Sequence, residues 1–288
     1  MMEQPLVSVV CLCYNQERCV EEAIQSVLKQ TYKKIQLIVV DDASTDNSVN
    51  VIRTVLASYP EIQFLELKEN LGNCKAFNQG LALTKGSFVI DLAADDVLLP
   101  DRIETGVNDL TEKGSAYGVH FSDAGIIDEY GTHLYNHSDR FPHQTIPQGD
   151  VYVDVIKRYF ICPPTVMFTR QVADVLGGYD ETLSYEDFDF WVRSSRVFKY
   201  VYSPKMLVKR RVSGNTLGSK QFKLFNRHSK YTYKVCEKIL RLNSSRAEQK
   251  ALHQRIVYEI GLNLRLLNVL TATRFLFLLI RNGGKKYG

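Results

Sequence analysis

The 288 residues include 45% hydrophobic and 24% charged side chains, the balance of a soluble globular chain with enough sequence to bury a sizeable core. A net charge of +4 is too mild to imply a nucleic-acid partner. The six cysteines follow neither framework nor metal-ligand spacing, which argues against a disulfide scaffold and for buried free thiols in a reducing compartment.

In chain order, residues 6–13 read as a buried strand, because they form a continuous Val-rich run. The run is too short to span a bilayer and lacks the basic leader of a secretory signal. Val20, Ala23, Ile24, Val27 and Leu28 then recur at helical spacing. Residues 35–40 read as a second buried strand ended by Asp41-Asp42. Ser44-Thr45-Asp46 supply helix-cap chemistry ahead of a face made by Val49, Ile52, Leu56 and Tyr59. A third strand is expected over 62–67, a turn over 70–72 and a helix over 76–83. A fourth strand over 87–92 delivers Asp95 and Asp96, and a short apolar run follows over 97–100. This alternation predicts a parallel sheet covered by helices. Ligands of such sheets gather beyond the carboxyl ends of the strands, where Tyr14, Asp42, Asp95 and Asp96 would all lie.

Beyond that unit, 117–127 reads as strand, 128–131 as turn, and the polar stretch 133–149 as an exposed loop near the site. Residues 151–160 are helix-like, Cys162-Pro163-Pro164 breaks them, and 165–168 are β-prone. Gly177-Gly178 marks a turn, and 185–197 carry an acidic cluster followed by a helix. The segments 222–242, 247–270 and 271–281 read as a C-terminal helical extension.

Two adjacent carboxylates at a strand end repel one another unless a cation or a set of donors occupies the space between them. A divalent cation bridging a diphosphate suits that space, since hard cations favour carboxylate and phosphate oxygens. Asp41-Asp42 and Asp95-Asp96 therefore point to a nucleotide-diphosphate site. Plainer readings stand beside this one. Asp41 and Asp42 would cap the next helix, Asp95-Asp96 would be a solvated turn, and Glu186, Asp187 and Asp189 would favour a helix N-terminus. Trp191 is read as core.

Several stretches, in order, resemble glycosyltransferase family 2, the inverting group with the GT-A fold. They are Val7-Ser8-Val9-Val10 with Tyr14-Asn15, then Ser26-Val27-Leu28-Lys29-Gln30-Thr31-Tyr32, then Val39-Val40-Asp41-Asp42-Ala43-Ser44-Thr45-Asp46. Asn70, Gly72, Ala76, Asn78 and Gly80 follow, then Asp95-Asp96 with Pro100. Gly177-Gly178-Tyr179-Asp180 with Glu186-Asp187 and Trp191 come last. The resemblance implies a GT-A-like, mostly parallel α/β sheet flanked by helices over residues 1–215, and a helical region over 216–288 for acceptor, dimer or membrane contact. It implies that Tyr14, Asp42 and Asp95 hold the nucleotide, that Asp96 is the ligand of Mn²⁺ or Mg²⁺, and that Asp187 is the general base. Lys75, Arg210 and Arg211 would assist the diphosphate. The expected activity is transfer of a sugar from a nucleotide-diphosphate donor, UDP-linked by preference, to a hydroxyl of a glycan or lipid-linked acceptor, in the cytoplasm and for bacterial surface polysaccharide.

Three departures from the family pattern stand out. Ala93 replaces the first Asp of the D-x-D motif, Phe77 stands where Arg is frequent, and no His occurs near Arg210-Arg211-Val212-Ser213. They motivate a rival reading as a catalytically silent sugar-nucleotide binder or scaffold. A nucleotidyltransferase is the other rival, while the absence of G-x-G-x-x-G and P-loop motifs disfavours a dehydrogenase or NTPase. In the tail, Leu262 to Ile280 are leucine- and phenylalanine-rich and flanked by Arg265, Arg274, Arg281, Lys285 and Lys286. Such a basic amphipathic helix would lie on an anionic membrane; otherwise it packs on its own domain or on a second copy.

Overall fold

Val- and Ile-rich runs buried on both faces form the centre of one sheet. They are β1 (Val7–Cys13), β2 (Ile35–Asp41) and β4 (Phe88–Ala93), with β3 (Gln63–Glu66) at the edge. The structure is a computed structural model and describes residues 4–142, 145–212 and 229–285. Alternate residues of β1 serve opposite layers: Val10 and Leu12 enter one apolar cluster, Val7, Val9 and Cys11 the other. These four strands pair in parallel, as the βαβ alternation predicts.

The remaining strands are β5 (Val97–Leu98), β6 (Tyr117–Ile127), β7 (His133–Asn136), β8 (Met167–Thr169) and β9 (Lys199–Arg211). The sheet order is β3-β2-β1-β4-β8-β6-β9-β5, with β7 paired to β6. β8 is antiparallel to both β4 and β6, and β5 is antiparallel to β9, so the sheet is mixed. β9 has no counterpart in the sequence reading. Pro204 and the flanking charges interrupt its alternation, and the register with β6 slips there, from Ser122↔Ser203 to Asp123↔Met206.

Helices cover both faces. α1 (Val20–Leu28), α2 (Ser48–Leu56) and α4 (Arg102–Lys113) pack on the Val9 side through Ile24, Ile52 and Ile103. α3 (Asn73–Leu83), α5 (Tyr152–Lys157), α6 (Arg170–Leu176) and α7 (Asp187–Ser195) pack on the other side. α3 starts three residues earlier than expected, and it lies very close to the sheet. A Cβ on Gly80 would stand 2.5 Å from a Val10 methyl and 2.9 Å from a Val40 methyl. The sequence reading has no counterpart of α4, whose apolar residues are few and set among charges, or of α6, which is only seven residues long. Within the expected loop, residues 133–140 are ordered: β7 leads into a 3₁₀ turn, His137–Arg140, with His137 buried and Ser138 held by Asp123.

The C-terminal extension is three helices, α8 (Ser229–Leu242), α9 (Arg246–Arg265) and α10 (Val269–Gly284). Residues 222–228 of the expected first helix, Ser213, Lys286 and the 215/216 boundary lie outside the described residues. Phe275 and Leu278 of α10 are buried in the same cluster as Val10, so one face of the tail packs on its own domain. The other face is exposed at Leu276, Phe277 and Ile280.

Candidate active site

The ends of β1 and β2 are laced together by side chains. The Asn15 N–H donates to Ser44 Oγ (2.9 Å), and Asn15 Oδ1 accepts from the Thr45 N–H (2.7 Å). Asn15 and Ala43 both sit in the left-handed region, at φ 54° and 58°, which is unusual for Ala. Tyr14, just beyond β1, is 46% exposed on this edge.

The two aspartates at the end of β2 do different things. Asp41 is fully buried and closes a local turn, accepting from the Ser44 N–H (2.8 Å) and its hydroxyl (2.6 Å). Asp42 reaches across to the turn before α3, where its oxygens accept from the N–H groups of Leu71 (2.7 Å) and Gly72 (2.9 Å). Burial raises its carboxyl above the ordinary range, and those two donors oppose the rise. Neither aspartate caps α2. That task falls to Asp46, which accepts from the Ser48 N–H at 2.9 Å.

At the end of β4, Asp95 and Asp96 meet the end of β9. Asp96 is buried, and one of its oxygens accepts from the backbone N–H of Arg211 at 2.9 Å. The Arg211 guanidinium donates to the carbonyls of Asp95, Asp128 and Glu129 and to the Glu22 carboxylate (2.6 Å). Burial, reinforced by Asp95, pushes the Asp96 carboxyl well up, while Arg210 and Arg211 pull it back. Asp95 is raised by burial and drawn down by the same two arginines.

Asp187 is the first residue of α7, and Glu186 precedes it. Burial and the Glu186 charge raise the Asp187 carboxyl well above its usual value, against the pull of Arg210. The Arg210 guanidinium thus lies within electrostatic reach of both Asp96 and Asp187, as well as of Cys162. Glu186 in turn accepts a hydrogen bond from the Asn73 side chain, one residue after the Gly72 that Asp42 holds. A continuous path therefore joins Asp42, the 71–73 turn, Glu186, Asp187, Arg210 and Asp96. Lys75 lies exposed on the first turn of α3, next to this path. All six expected site residues stand at the carboxyl edge of the sheet.

One participant was not foreseen. Asp91 lies inside β4, where the Tyr179 hydroxyl donates to it at 3.0 Å. Burial and Glu186 push its carboxyl well up. It shares a strand face with Ala93, two residues on. A carboxylate inside the apolar run Phe88-Val89-Ile90-Asp91-Leu92 was the visible signal. Of the other departures, Phe77 is fully buried and stacks on Tyr179 at 4.3 Å, so it supports the core rather than a ligand. Trp191 is core as well, edge-on to Tyr159. Asp189 is bound by Arg193 and Lys238.

A divalent cation needs several oxygen ligands around it. Among the described residues no three His, Cys, Asp or Glu side chains are arranged to enclose one. Asp95 and Asp96 instead offer the one or two carboxylates that Mg²⁺-type sites combine with substrate phosphate oxygens. The residues fit a cation that is held jointly with a diphosphate. Hollows of about 360 Å³ between α1 and α2 and about 380 Å³ near Tyr32 and Ile62 do not touch the acidic edge.

A profile described as Glycosyl transferase family 2 matches residues 8–176. An uncharacterised glycosyltransferase of Rickettsia prowazekii is 30% identical over 211 residues, covering 72% of this chain and 64% of that one. A Bacillus subtilis glycosyltransferase assigned by name to teichuronic acid biosynthesis is 31% identical over 168 residues, covering 58% of this chain and 64% of its own. The chain thus spans less than two thirds of the length of these relatives. Among solved structures, Staphylococcus aureus TarS with UDP-GlcNAc superposes with a TM-score of 0.66 at 18% identity, over 87% of this chain and 71% of that one. A Pyrobaculum calidifontis mannosyltransferase in complex with GDP-Man and Mn²⁺ also gives 0.66, at 17% identity, over 100% of this chain and 77% of its own. At these identities the likeness is one of fold, the GT-A arrangement.

Proposed function

This chain belongs to glycosyl transferase family 2, and on that footing we propose that it moves one sugar from a nucleotide-diphosphate donor to an acceptor hydroxyl with inversion. The observation that carries this reading is the placement of Arg210 within reach of both Asp96 and Asp187. On this reading a diphosphate-binding end, at Asp96, and a proton-accepting end, at Asp187, share the reach of one guanidinium. The acceptor oxygen bonds to the anomeric carbon as the bond from that carbon to the diphosphate oxygen breaks. The acceptor proton passes to Asp187, and the electron pair leaves on the nucleoside diphosphate. A carboxylate raised in basicity by burial is suited to take that proton. Arg210 and Lys75 face the charge that gathers on the leaving group. Tyr14, Asp42 and Asp95 hold the nucleoside, Asp42 also setting the turn that frames it. Mn²⁺ or Mg²⁺ would be held by Asp96 with Asp95 beside it, and would supply Lewis-acid stabilisation of the diphosphate.

We take the donor as UDP-linked, in line with the UDP-GlcNAc complex of the structural neighbour. The acceptor is a glycan or lipid-linked hydroxyl on the cytoplasmic side. Surface-polysaccharide assembly is the setting, supported by the Bacillus relative's name. Residues 1–215 would form the catalytic unit and 216–288 the acceptor-facing extension. The test is nucleotide release from UDP-sugars with Mn²⁺, with and without glycan acceptors. Asp187→Asn should lower turnover by about 10²–10⁴-fold while leaving donor binding intact. Donor binding with no turnover in wild type or variant would favour the silent binder that Ala93 suggests. Pyrophosphate release from a nucleoside triphosphate would instead identify a nucleotidyltransferase.

A further inference from the structure

α10 is apolar on two opposite faces, and only one of them has a partner. Ala272, Phe275 and Leu278 are buried against α8 and α9, with Phe275 edge-on to Tyr233 at 5.4 Å. Val269, Leu276, Phe277 and Ile280 project the other way and are 62%, 49%, 62% and 65% exposed. At 100° per residue, these four and Thr273 fall within one continuous arc. Arg274 and Arg281, seven residues apart, border it. The connection from α9 to α10 extends the apolar surface through Leu264, Leu267 and Leu270, all exposed. Leu267 adopts φ 60°, a conformation that an exposed helix end usually gives to Gly or Asn. A water-facing turn would not be built from leucines.

The charges on this hairpin are sorted. Both acidic residues of α9, Glu248 and Glu259, are buried and paired, with Arg196 at 2.7 Å and Arg255 at 3.5 Å. α10 has no acidic residue. Every exposed charged residue on the two helices is therefore basic: Arg246, Lys250, Arg265, Arg274 and Arg281. Arg281 also meets Glu237 of α8 at 3.2 Å.

We propose that the outer face of the α9–α10 hairpin docks flat on an anionic lipid bilayer, with Phe277, Ile280 and the leucine turn in the interfacial layer and the arginines on the headgroups. A second copy fits this face less well. A two-fold contact is self-complementary, so it would set like charges against one another. Lipid headgroups supply the missing negative charge across a plane, and the acyl boundary accepts the aromatic and aliphatic side chains. No helix of the described residues is long and apolar enough to cross a membrane, and the inner face of α10 is already committed to the core. The hairpin therefore lies along the surface rather than through it.

The inference is independent of the transfer chemistry and is tested without substrate. The full chain is floated with vesicles of phosphatidylcholine alone, and with vesicles of three parts phosphatidylcholine to one of phosphatidylglycerol. Wild type should float with the anionic vesicles and be released by added salt. Phe277→Ser with Ile280→Ser should weaken that binding by about tenfold or more. Arg265→Glu with Arg274→Glu should weaken it by at least about fivefold. All four positions are exposed, so circular dichroism and thermal midpoint should match wild type. Wild type that stays unbound, or that binds neutral vesicles equally well, overturns the proposal, and neither result requires a variant to fold. A concentration-dependent dimer that Phe277→Ser with Ile280→Ser abolishes also overturns it, in favour of a second copy. Nucleotide release measured without vesicles reports on the transferase reading alone, so either idea can fail while the other stands.

Discussion

Glu186 and Asp187 are adjacent and half-buried, so the charge on one sets the basicity of the other. Asp187 is held high by burial first and by Glu186 second. As a base it works only when deprotonated, so transfer should fall on the acid side at a higher pH than for an ordinary carboxylate. Glu186→Gln removes the neighbouring negative charge. The Asp187 carboxyl then drops, and the acid limb of the kcat/KM profile should move to lower pH. The profile with a saturating acceptor checks this. An unmoved limb, or one displaced upward, would show that Glu186 does not act on the base. Asp91 lies in the same corner, where Tyr179 donates to it and Glu186 acts on its charge. Chemical type was legible at the carboxylates, whereas the lone Asp inside β4 could be told from a strand-edge residue only once Tyr179 and Glu186 were brought against it by the fold.

Among the elements, α3 carries the most geometry per residue. It begins at the turn that Asp42 grips, offers Asn73 to Glu186 and Lys75 to solvent, and rides on β1 and β2 at Gly80. Gly80→Ala should force the helix off the Val10 and Val40 methyls and cost about 1–3 kcal/mol. The urea midpoint measures that cost. Donor KM should rise as well, since the 71–73 turn would move with the helix, and an unchanged KM would uncouple α3 from the nucleotide. The parallel half of the sheet was legible because strands buried on both faces are unbroken apolar runs. In the mixed half, where β6 runs parallel to β9 and antiparallel to β8, the pairing was not. β8 has three residues, β5 has two, and β9 passes through Pro204 with a slipped register, so no periodic signal marks their pairing. Arg210 and Arg211 come from the end of β9. Their place opposite Asp95 and Asp96 therefore depends on the part of the sheet that periodicity does not reveal.

At the scale of the whole molecule, a buried cation is among the contacts that join the C-terminal helices to the segment carrying Asp187. Arg255 of α9 pairs with Glu259 at 3.5 Å, donates to the Ile156 carbonyl at 2.9 Å, and lies over the rings of Tyr159 (4.2 Å) and Phe188 (4.7 Å). Phe188 is the neighbour of Asp187. Arg255→Ala leaves Glu259 buried without its counter-ion and should cost about 3–5 kcal/mol in urea unfolding. Arg255→Met with Glu259→Leu should recover most of that loss, because two apolar side chains need no counter-ion. A double variant no more stable than the single one would show that the stacking on Tyr159 and Phe188 matters more than the ion pair.

Arg211 carries a different kind of consequence. One planar guanidinium is bonded to three carbonyls and a carboxylate from three separate stretches of chain, while its own N–H holds Asp96. Lysine would preserve the charge yet lose the fan of fixed directions. The acidic rim is therefore a welded corner: the Asp95-Asp96 pair, the 128–129 turn and the start of α1 shift together or stay put, and a donor must be admitted by something other than their independent motion.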